Sequence, residues 1–371
     1  MKIAMIGHKY VPSREGGIEI VVDEISTELA KMGHNVTIFN RKRKQNKKIN
    51  EYNGCKIVEI FTINKKSLDA IMYAFFATLK AKRMAERGEL DIIHFHAEGP
   101  CFFLNLFPPK IKRKYKIIVT IHGLDWKRGK WGGFASKIIK SGEKKAVKYA
   151  DTITVVSKNI QKYFIDEYNK ETVYIPNGIR KLKIKEPEII KKKYGLTKNS
   201  YILFLARIVP EKGLHYLIKA WKKIKQEKST DLKLVIAGGN SHSDKYYNKI
   251  QQMCIGDDSI IQTGFVQGQI LEELYSNAYL YVLPSDVEGM PISLLEAISY
   301  GIPCLVSNIE ENMEIIKDEM FFFNKGDVKS LAEKMLMLIN TNDIFCKNSS
   351  LLSWYDITKL YYLIYTKGNS L

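Results

Sequence analysis

Short apolar runs alternate with amphipathic segments along most of the chain. The runs are rich in Ile, Val and Leu, which is typical of strands buried on both faces of a parallel sheet. The segments between them repeat apolar residues every three or four positions, which is typical of helices. The predicted strands are 2–7, 34–40, 56–61, 91–95, 116–121, 151–156, 172–175, 201–207, 232–237, 260–262, 279–283 and 304–306, and the predicted helices are 17–32, 137–149, 213–226, 243–253, 269–276, 291–300 and 328–338.

This alternation predicts an α/β fold with two Rossmann-like parallel-sheet domains that face each other across a cleft. The boundary falls in the charged, turn-rich stretch that follows Pro176-Asn177-Gly178. We expect an N-terminal domain at residues 1–185 and a C-terminal domain at residues 186–352. The helix at 353–371 is expected to pack back on the first domain.

Positive charge is concentrated in the first half of the chain. Residues 1–185 contain 37 Lys and Arg against 18 Asp and Glu, a net charge of +19, whereas residues 186–371 contain 21 against 22, a net charge of −1. An excess confined to one domain favours a polyanionic partner, either anionic lipid or nucleic acid. The start of the chain predicts a first strand rather than a signal peptide, and five widely spaced cysteines suit a reducing cytoplasm.

Candidate chemistry follows two strands of the second domain. Glu288 lies in the loop after strand 279–283, and Glu296 lies on the helix that opens with Pro291. A helix N-terminus at that place suits a phosphate, and paired carboxylates suit sugar hydroxyls. Arg207 and Lys212 follow another strand, and two cations there would neutralise a diphosphate without a metal ion.

Three segments resemble the retaining GT-B glycosyltransferases of family 4, also called glycosyl transferases group 1. They are the Arg207-x-x-x-x-Lys212-Gly213 pattern, Gly264-Phe265-Val266, and the motif at 284–297. The resemblance extends over nearly the whole chain. It implies a GT-B fold and transfer of a sugar from a nucleotide-diphosphate sugar with retention of anomeric configuration.

The resemblance also implies roles for individual residues. Arg207 and Lys212 would bind the diphosphate, Glu296 the ribose hydroxyls and Glu288 the donor sugar. The remaining donor-binding residues of this domain would be Gly238, Phe265, Val266, Gly289, Met290 and Leu294, with Phe265 and Val266 against the base. No metal ion or other cofactor is expected.

Two loops of the first domain are further candidates. Gly16 and Gly17 open the first helix, where the backbone would approach the diphosphate or the acceptor. His122 ends a strand and is predicted to touch the donor sugar or the acceptor. The tail at 125–131 resembles a subgroup that includes bacterial polysaccharide rhamnosyltransferases. His94 and His96 lie on one side of a strand, but no third metal ligand is evident, so packing is favoured.

Two apolar segments with basic flanks suggest a membrane surface. Segment 67–87 is predicted to be an amphipathic helix that ends in Lys and Arg residues. The apolar segment 101–107 is followed by five basic residues between 110 and 116. Such segments suit an anionic bilayer, and core packing is the alternative. We therefore expect a cytoplasmic protein, peripheral at the inner face of the plasma membrane.

The sequence predicts a hexosyl- or deoxyhexosyltransferase that extends a lipid-linked saccharide in bacterial capsular or extracellular polysaccharide synthesis. A nicotinamide oxidoreductase is disfavoured because the Gly-x-Gly-x-x-Gly fingerprint is missing. A nucleic-acid-binding protein would not need the ordered Arg, Lys and Glu residues of the near-neutral half, so no nucleic acid partner is expected. Two alternatives stay open, a nucleotide-sugar epimerase of the same fold and a non-catalytic binding protein for saccharides or polyanions.

Overall fold

The computed structural model describes residues 1–42, 49–63, 68–127, 133–241, 243–341 and 351–367. Residues 43–48 of the basic surface loop and residues 128–131 of the rhamnosyltransferase-like tail lie outside this part of the chain. The chain divides into two compact units. Unit 1 contains Met1–Gly178 and Leu352–Leu371, and unit 2 contains Ile179–Leu351.

Unit 1 is a parallel sheet flanked by helices. Its strands are β1 (Lys2–Ile6), β2 (Asn35–Arg41), β3 (Glu51–Tyr52), β4 (Cys55–Ile60), β5 (Ile92–His96), β6 (Lys116–Ile121), β7 (Thr152–Val155) and β8 (Val173–Tyr174). They lie in the order β3-β4-β2-β1-β5-β6-β7-β8, and within the described residues only the β3–β4 pair is antiparallel. The helices before the chain leaves unit 1 are α1 (Gly17–Lys31), α2 (Leu68–Glu86), α3 (Gly133–Tyr149) and α4 (Lys158–Tyr168).

Unit 2 repeats this architecture, and in its described residues the sheet has six strands, all parallel. They are β9 (Tyr201–Leu205), β10 (Lys233–Ala237), β11 (Ile260–Gly264), β12 (Leu280–Leu283), β13 (Cys304–Ser307) and β14 (Phe322–Phe323), in the order β11-β10-β9-β12-β13-β14. Its helices are α5 (Ile189–Tyr194), α6 (Leu214–Glu227), α7 (Asp244–Cys254), α8 (Gln269–Asn277), α9 (Ile292–Ser299), α10 (Glu310–Ile315) and α11 (Val328–Ile339). Short 3-10 turns lie at Gly99–Leu106, Lys110–Lys112, Asp125–Lys127, Pro210–Lys212 and Glu319–Phe321.

The last helix, α12 (Trp354–Lys367), belongs to unit 1 although it follows unit 2 in the chain. It packs against α1 and buries Trp354, Ile357, Tyr361, Ile364 and Tyr365. The chain therefore returns to the first sheet with its final helix.

Every predicted strand and helix overlaps an observed one, because continuous apolar runs and helical periodicity are local properties of the sequence. Helix α4 has no predicted counterpart. It begins at Ser157, whose hydroxyl accepts a hydrogen bond from the Ile160 amide, and it ends at Asn169 in a left-handed conformation.

Within the described ranges, no helix has both the length and the apolar character that a bilayer-spanning segment requires.

Candidate functional site

Lys212 and Glu288 form the central ion pair of the predicted donor site. The Lys212 ammonium lies 2.5 Å from Glu288 Oε1, and both side chains are largely buried. The same carboxylate oxygen accepts a 2.6 Å hydrogen bond from the Ser285 hydroxyl. The carboxylate therefore fixes the direction of the ammonium at the carboxyl end of the sheet, where a ligand anion would bind.

Gly213 allows the turn that carries Lys212 to lie close to the end of β12. Its φ is +66°, and a Cβ atom there would lie 1.8 Å from the carbonyl oxygen of Pro284. The 3-10 turn that carries Lys212 can therefore lie against the end of β12 only if the next residue is glycine.

Arg207 lies two residues beyond the end of β9 and donates a 3.4 Å hydrogen bond to the Ser241 hydroxyl. Gly238, the first residue after β10, packs against the chain next to it. A Cβ atom at Gly238 would lie 1.9 Å from the Ala206 carbonyl oxygen. Gly238 thus allows the ends of β9 and β10 to stay close beside Arg207.

Glu296 lies on α9 and accepts a 3.0 Å hydrogen bond from the Tyr275 hydroxyl. The Tyr275 ring stacks on Tyr300 at a centroid distance of 5.3 Å. The orientation of the Glu296 carboxylate therefore depends on Tyr275 of α8 as well as on its own helix α9.

The N-terminus of α9 differs from the prediction at two residues. Pro291 was expected to be the first helical residue, but its ψ of 108° makes it the N-cap, and α9 begins at Ile292. Leu294 was expected among the donor-binding residues, but its side chain is 0% exposed in the core of unit 2 and its amide donates to the Pro291 carbonyl. Gly289 and Met290 lie directly before this N-terminus.

Phe265 and Val266 follow β11, and the structure separates their environments. Phe265 is 46% exposed, whereas Val266 is partly buried against the core of unit 2. An exposed ring beyond a strand offers a face on which a nucleotide base can stack.

The glycines predicted in unit 1 lie at the start of α1. Gly16 is the N-cap in an extended conformation, and Gly17 is the first helical residue. The loop before them is tied to α1 because the Lys9 amide donates to Glu19 Oε1 at 2.9 Å.

His122 lies one residue beyond β6, and its Nε2 is 3.0 Å from His96 Nδ1. The loop that follows is anchored by two buried carboxylates. Glu98 accepts from the Asp125 amide at 3.1 Å, and Glu143 accepts from the Trp126 indole at 3.1 Å. Burial and the nearby Asp125 raise the pKa of Glu98 well above its usual range.

Several residues that shape these sites were not predicted to do so. Ser285 and Tyr275 bind the two predicted glutamates, and the buried Glu211 carboxylate next to Lys212 has no hydrogen-bond partner among the described residues. Nothing local in the sequence identifies Tyr275, because it lies on a different helix from Glu296. The two-residue spacing of His94 and His96 did indicate a common face.

In the part of the chain that the structure describes, no group of three or more His, Cys, Asp or Glu side chains is arranged to hold a metal ion.

Comparison with known proteins assigns a family to both units. Residues 15–181 match the family model "Glycosyltransferase Family 4", and residues 186–349 match "Glycosyl transferases group 1". The chain is 27% identical over 340 residues to alpha-monoglucosyldiacylglycerol synthase of Streptococcus pneumoniae, covering 86% of this chain and 74% of that protein. It is 25% identical over 297 residues to the UDP-Gal:alpha-D-GlcNAc-diphosphoundecaprenol alpha-1,3-galactosyltransferase of Escherichia coli, covering 75% and 74%.

Among solved structures, sucrose-phosphate synthase from Thermosynechococcus elongatus superimposes with a TM-score of 0.79 at 19% identity and covers 98% of both chains. The two family models together span both units, and the solved structure shares their fold. The chain therefore belongs to family 4 of the GT-B glycosyltransferases.

Proposed function

We propose that this glycosyltransferase takes its sugar from a nucleotide-diphosphate sugar and retains the anomeric configuration. The Lys212–Glu288 pair carries this proposal, because it presents a fixed cation at the end of a parallel sheet beside a helix N-terminus. A bound diphosphate would be a second anion in contact with the Lys212 ammonium, beside the Glu288 carboxylate. Arg207 would supply a second cation, so that transfer needs no metal ion.

The other proposed donor-site residues lie at the same, carboxyl-terminal edge of the unit 2 sheet. Glu296 would accept hydrogen bonds from the ribose, and Phe265 would stack on the base. Glu288 would contact the donor sugar, with the backbone at Gly289 and Met290 close by. The exposure of Phe265 and the fixed orientation of Glu296 support this arrangement.

Retention is proposed to proceed by same-face attack. The acceptor hydroxyl would attack beside the leaving phosphate, whose oxygen takes the proton, while Arg207 and Lys212 stabilise the charge on the departing diphosphate. A double displacement needs a carboxylate free to act as nucleophile. Glu288 is instead bound to Lys212 and Ser285, which favours the same-face route.

We propose a lipid-linked saccharide as acceptor, in capsular or extracellular polysaccharide synthesis. The E. coli relative is named for such a lipid-linked substrate, and the S. pneumoniae relative is named for a glycolipid. His122 of unit 1 would contact the acceptor or the donor sugar. The rhamnosyltransferase-like subgroup stays a prediction from the tail at 125–131.

A peripheral association with the inner face of the plasma membrane is part of the same proposal. Helix α2 buries Tyr73 and most of its small residues and leaves Leu68 and Phe76 at the surface. The Phe76 ring centroid lies 6.0 Å from that of Phe61, which is 55% exposed. Lys80 and Arg83 are exposed further along the helix. In segment 101–107, Cys101 and Leu104 are fully buried, which supports core packing of these two residues.

The donor can be identified with a panel of uridine, thymidine and guanosine diphosphate sugars, using thermal shift and donor turnover. The decisive variant is Lys212→Ala, with Lys219→Ala as the matched control because Lys219 is an exposed lysine of the same unit. We expect Lys212→Ala to lower kcat by about 10²–10³-fold with an unchanged circular dichroism spectrum. Turnover equal to that of Lys219→Ala would refute the role of Lys212.

A further inference from the structure

His96 lies next to His122 on one face of the unit 1 sheet. His94 and His96 are two positions apart on β5, so their side chains point to the same face. His96 pairs with Thr120 in the ladder between β5 and β6, and His122 follows Thr120 by two residues. The rings of His96 and His122 are accordingly adjacent, with centroids 5.3 Å apart and planes inclined by 21°.

His94 contacts the His96 ring on the side away from His122. Its Nδ1 lies 2.7 Å from the Tyr365 hydroxyl of α12, and its Nε2 lies 2.6 Å from the Thr120 hydroxyl. The rings of His94 and His96 are 4.1 Å apart. Because both nitrogens of His94 have partners, this ring has little freedom, and His96 is wedged between it and His122.

The surroundings of His96 determine where its proton lies. His96 is fully buried, and desolvation together with the neighbouring histidines lowers its pKa well below the ordinary value. The ring is therefore neutral and carries one N–H. Its Nε2 has no hydrogen-bond partner among the described residues, whereas its Nδ1 faces His122 Nε2 at 3.0 Å.

A buried N–H without an acceptor is rarer in proteins than a buried lone pair without a donor. The proton of His96 consequently belongs on Nδ1, where it is donated to His122 Nε2. His122 then accepts through Nε2, and its own proton belongs on Nδ1.

We propose that His96 is a positioning residue that fixes the ring of His122 and holds it as the neutral Nδ1–H tautomer. The consequence for catalysis rests on the proposed function of His122 at the saccharide. In this tautomer the Nε2 of His122 is occupied by the N–H of His96 and does not serve as a general base.

The tautomer is measured directly by NMR of the protein labelled with 15N-histidine. We expect His122 of the wild-type protein to carry its proton on Nδ1. His96→Leu removes the donor, so Nε2–H should become populated. His96→Asn retains an amide N–H close to the position of Nδ1 and should preserve the wild-type tautomer. Nε2–H in the wild-type protein, or an unchanged tautomer in His96→Leu, would overturn the proposal.

Steady-state kinetics form the second arm. With the donor that the panel identifies, His96→Leu should lower kcat by about tenfold at a nearly unchanged donor KM, and His96→Asn should restore most of the loss. Tyr365→Phe removes the hydroxyl that holds His94 but leaves the N–H of His96 in place, so it should lower kcat less than His96→Leu does, and an equal loss in both variants would contradict the proposal. If no nucleotide sugar is turned over, the proposed function fails, while the wild-type NMR spectrum still decides the role of His96.

Discussion

Gly213 and Gly195 have the same backbone conformation in different surroundings. Both have a φ of +66°, but a Cβ atom at Gly213 would lie 1.8 Å from the Pro284 carbonyl oxygen, whereas a Cβ atom at Gly195 would meet nothing within 4 Å. Gly195 is required only for its turn at the end of α5. Gly213 is required for its turn and for the close contact that brings Lys212 to Glu288.

Gly195→Ala should therefore lower the free energy of unfolding by about 1–2 kcal/mol, the cost of a left-handed alanine. Gly213→Ala should cost this amount and about 1–3 kcal/mol more from overpacking, and it should also lower kcat because Lys212 moves. Urea unfolding measures the first effect and donor turnover the second. Equal losses of stability in the two variants would contradict the close packing at Pro284.

Helix α2 and the turn at Lys110–Lys112 place apolar and basic residues on the surface of unit 1. Ile111 is 94% exposed between Lys110 and Lys112, and Lys114 is exposed beside them. Exposed apolar side chains among lysines favour anionic lipid, because burial of the apolar groups and charge attraction act together.

Wild-type protein should co-sediment more strongly with vesicles that contain anionic lipid than with neutral vesicles, and added salt should weaken the binding. Changing Lys110, Lys112 and Lys114 to Glu should abolish the difference. The matched control changes Lys191, Lys192 and Lys193 of α5, three exposed lysines of unit 2, by the same charge. Equal binding of the wild-type protein to both kinds of vesicle would exclude an electrostatic membrane contact.

The stability of the whole molecule should depend on three buried histidines. Burial lowers the pKa of His94 to about 3 and that of His8 to about 4, and it lowers that of His96 in the same direction. The unfolded chain takes up protons below about pH 6.5, while these folded groups do not. The stabilisation they provide is therefore present above pH 6.5 and is lost as the pH falls toward the folded values.

Burial of His94 and of His8 should each lower the free energy of unfolding by about 2 kcal/mol at pH 5, and the raised pKa of Glu98 acts in the opposite direction. We expect urea unfolding to show a net loss of stability between pH 7.5 and pH 5. Glu98→Gln removes the opposing proton uptake and should steepen this decline. A flat profile of Glu98→Gln over that range would show that the histidines are not buried in the neutral form.

The sequence by itself determined the elements and the order of the candidate residues. Apolar runs and helical periodicity are local, so the strands of both sheets other than the two-residue strands β3 and β14, and helices such as α1, α6 and α9, could be predicted from neighbouring residues alone. Glu288 lies in the loop after β12, as predicted, whereas Arg207, the last residue of the predicted strand 201–207, lies two residues beyond the end of β9.

Only the tertiary structure decided which of these residues meet. Lys212 and Glu288 are 76 positions apart, and His94 and Tyr365 are 271 apart, so their contacts depend on strand order and on the return of α12 to the first sheet. The burial of Leu294 was decided in the same way, by the packing of α9 on its own sheet. Local pattern determines how a segment folds, whereas contacts between distant side chains depend on how the segments pack together.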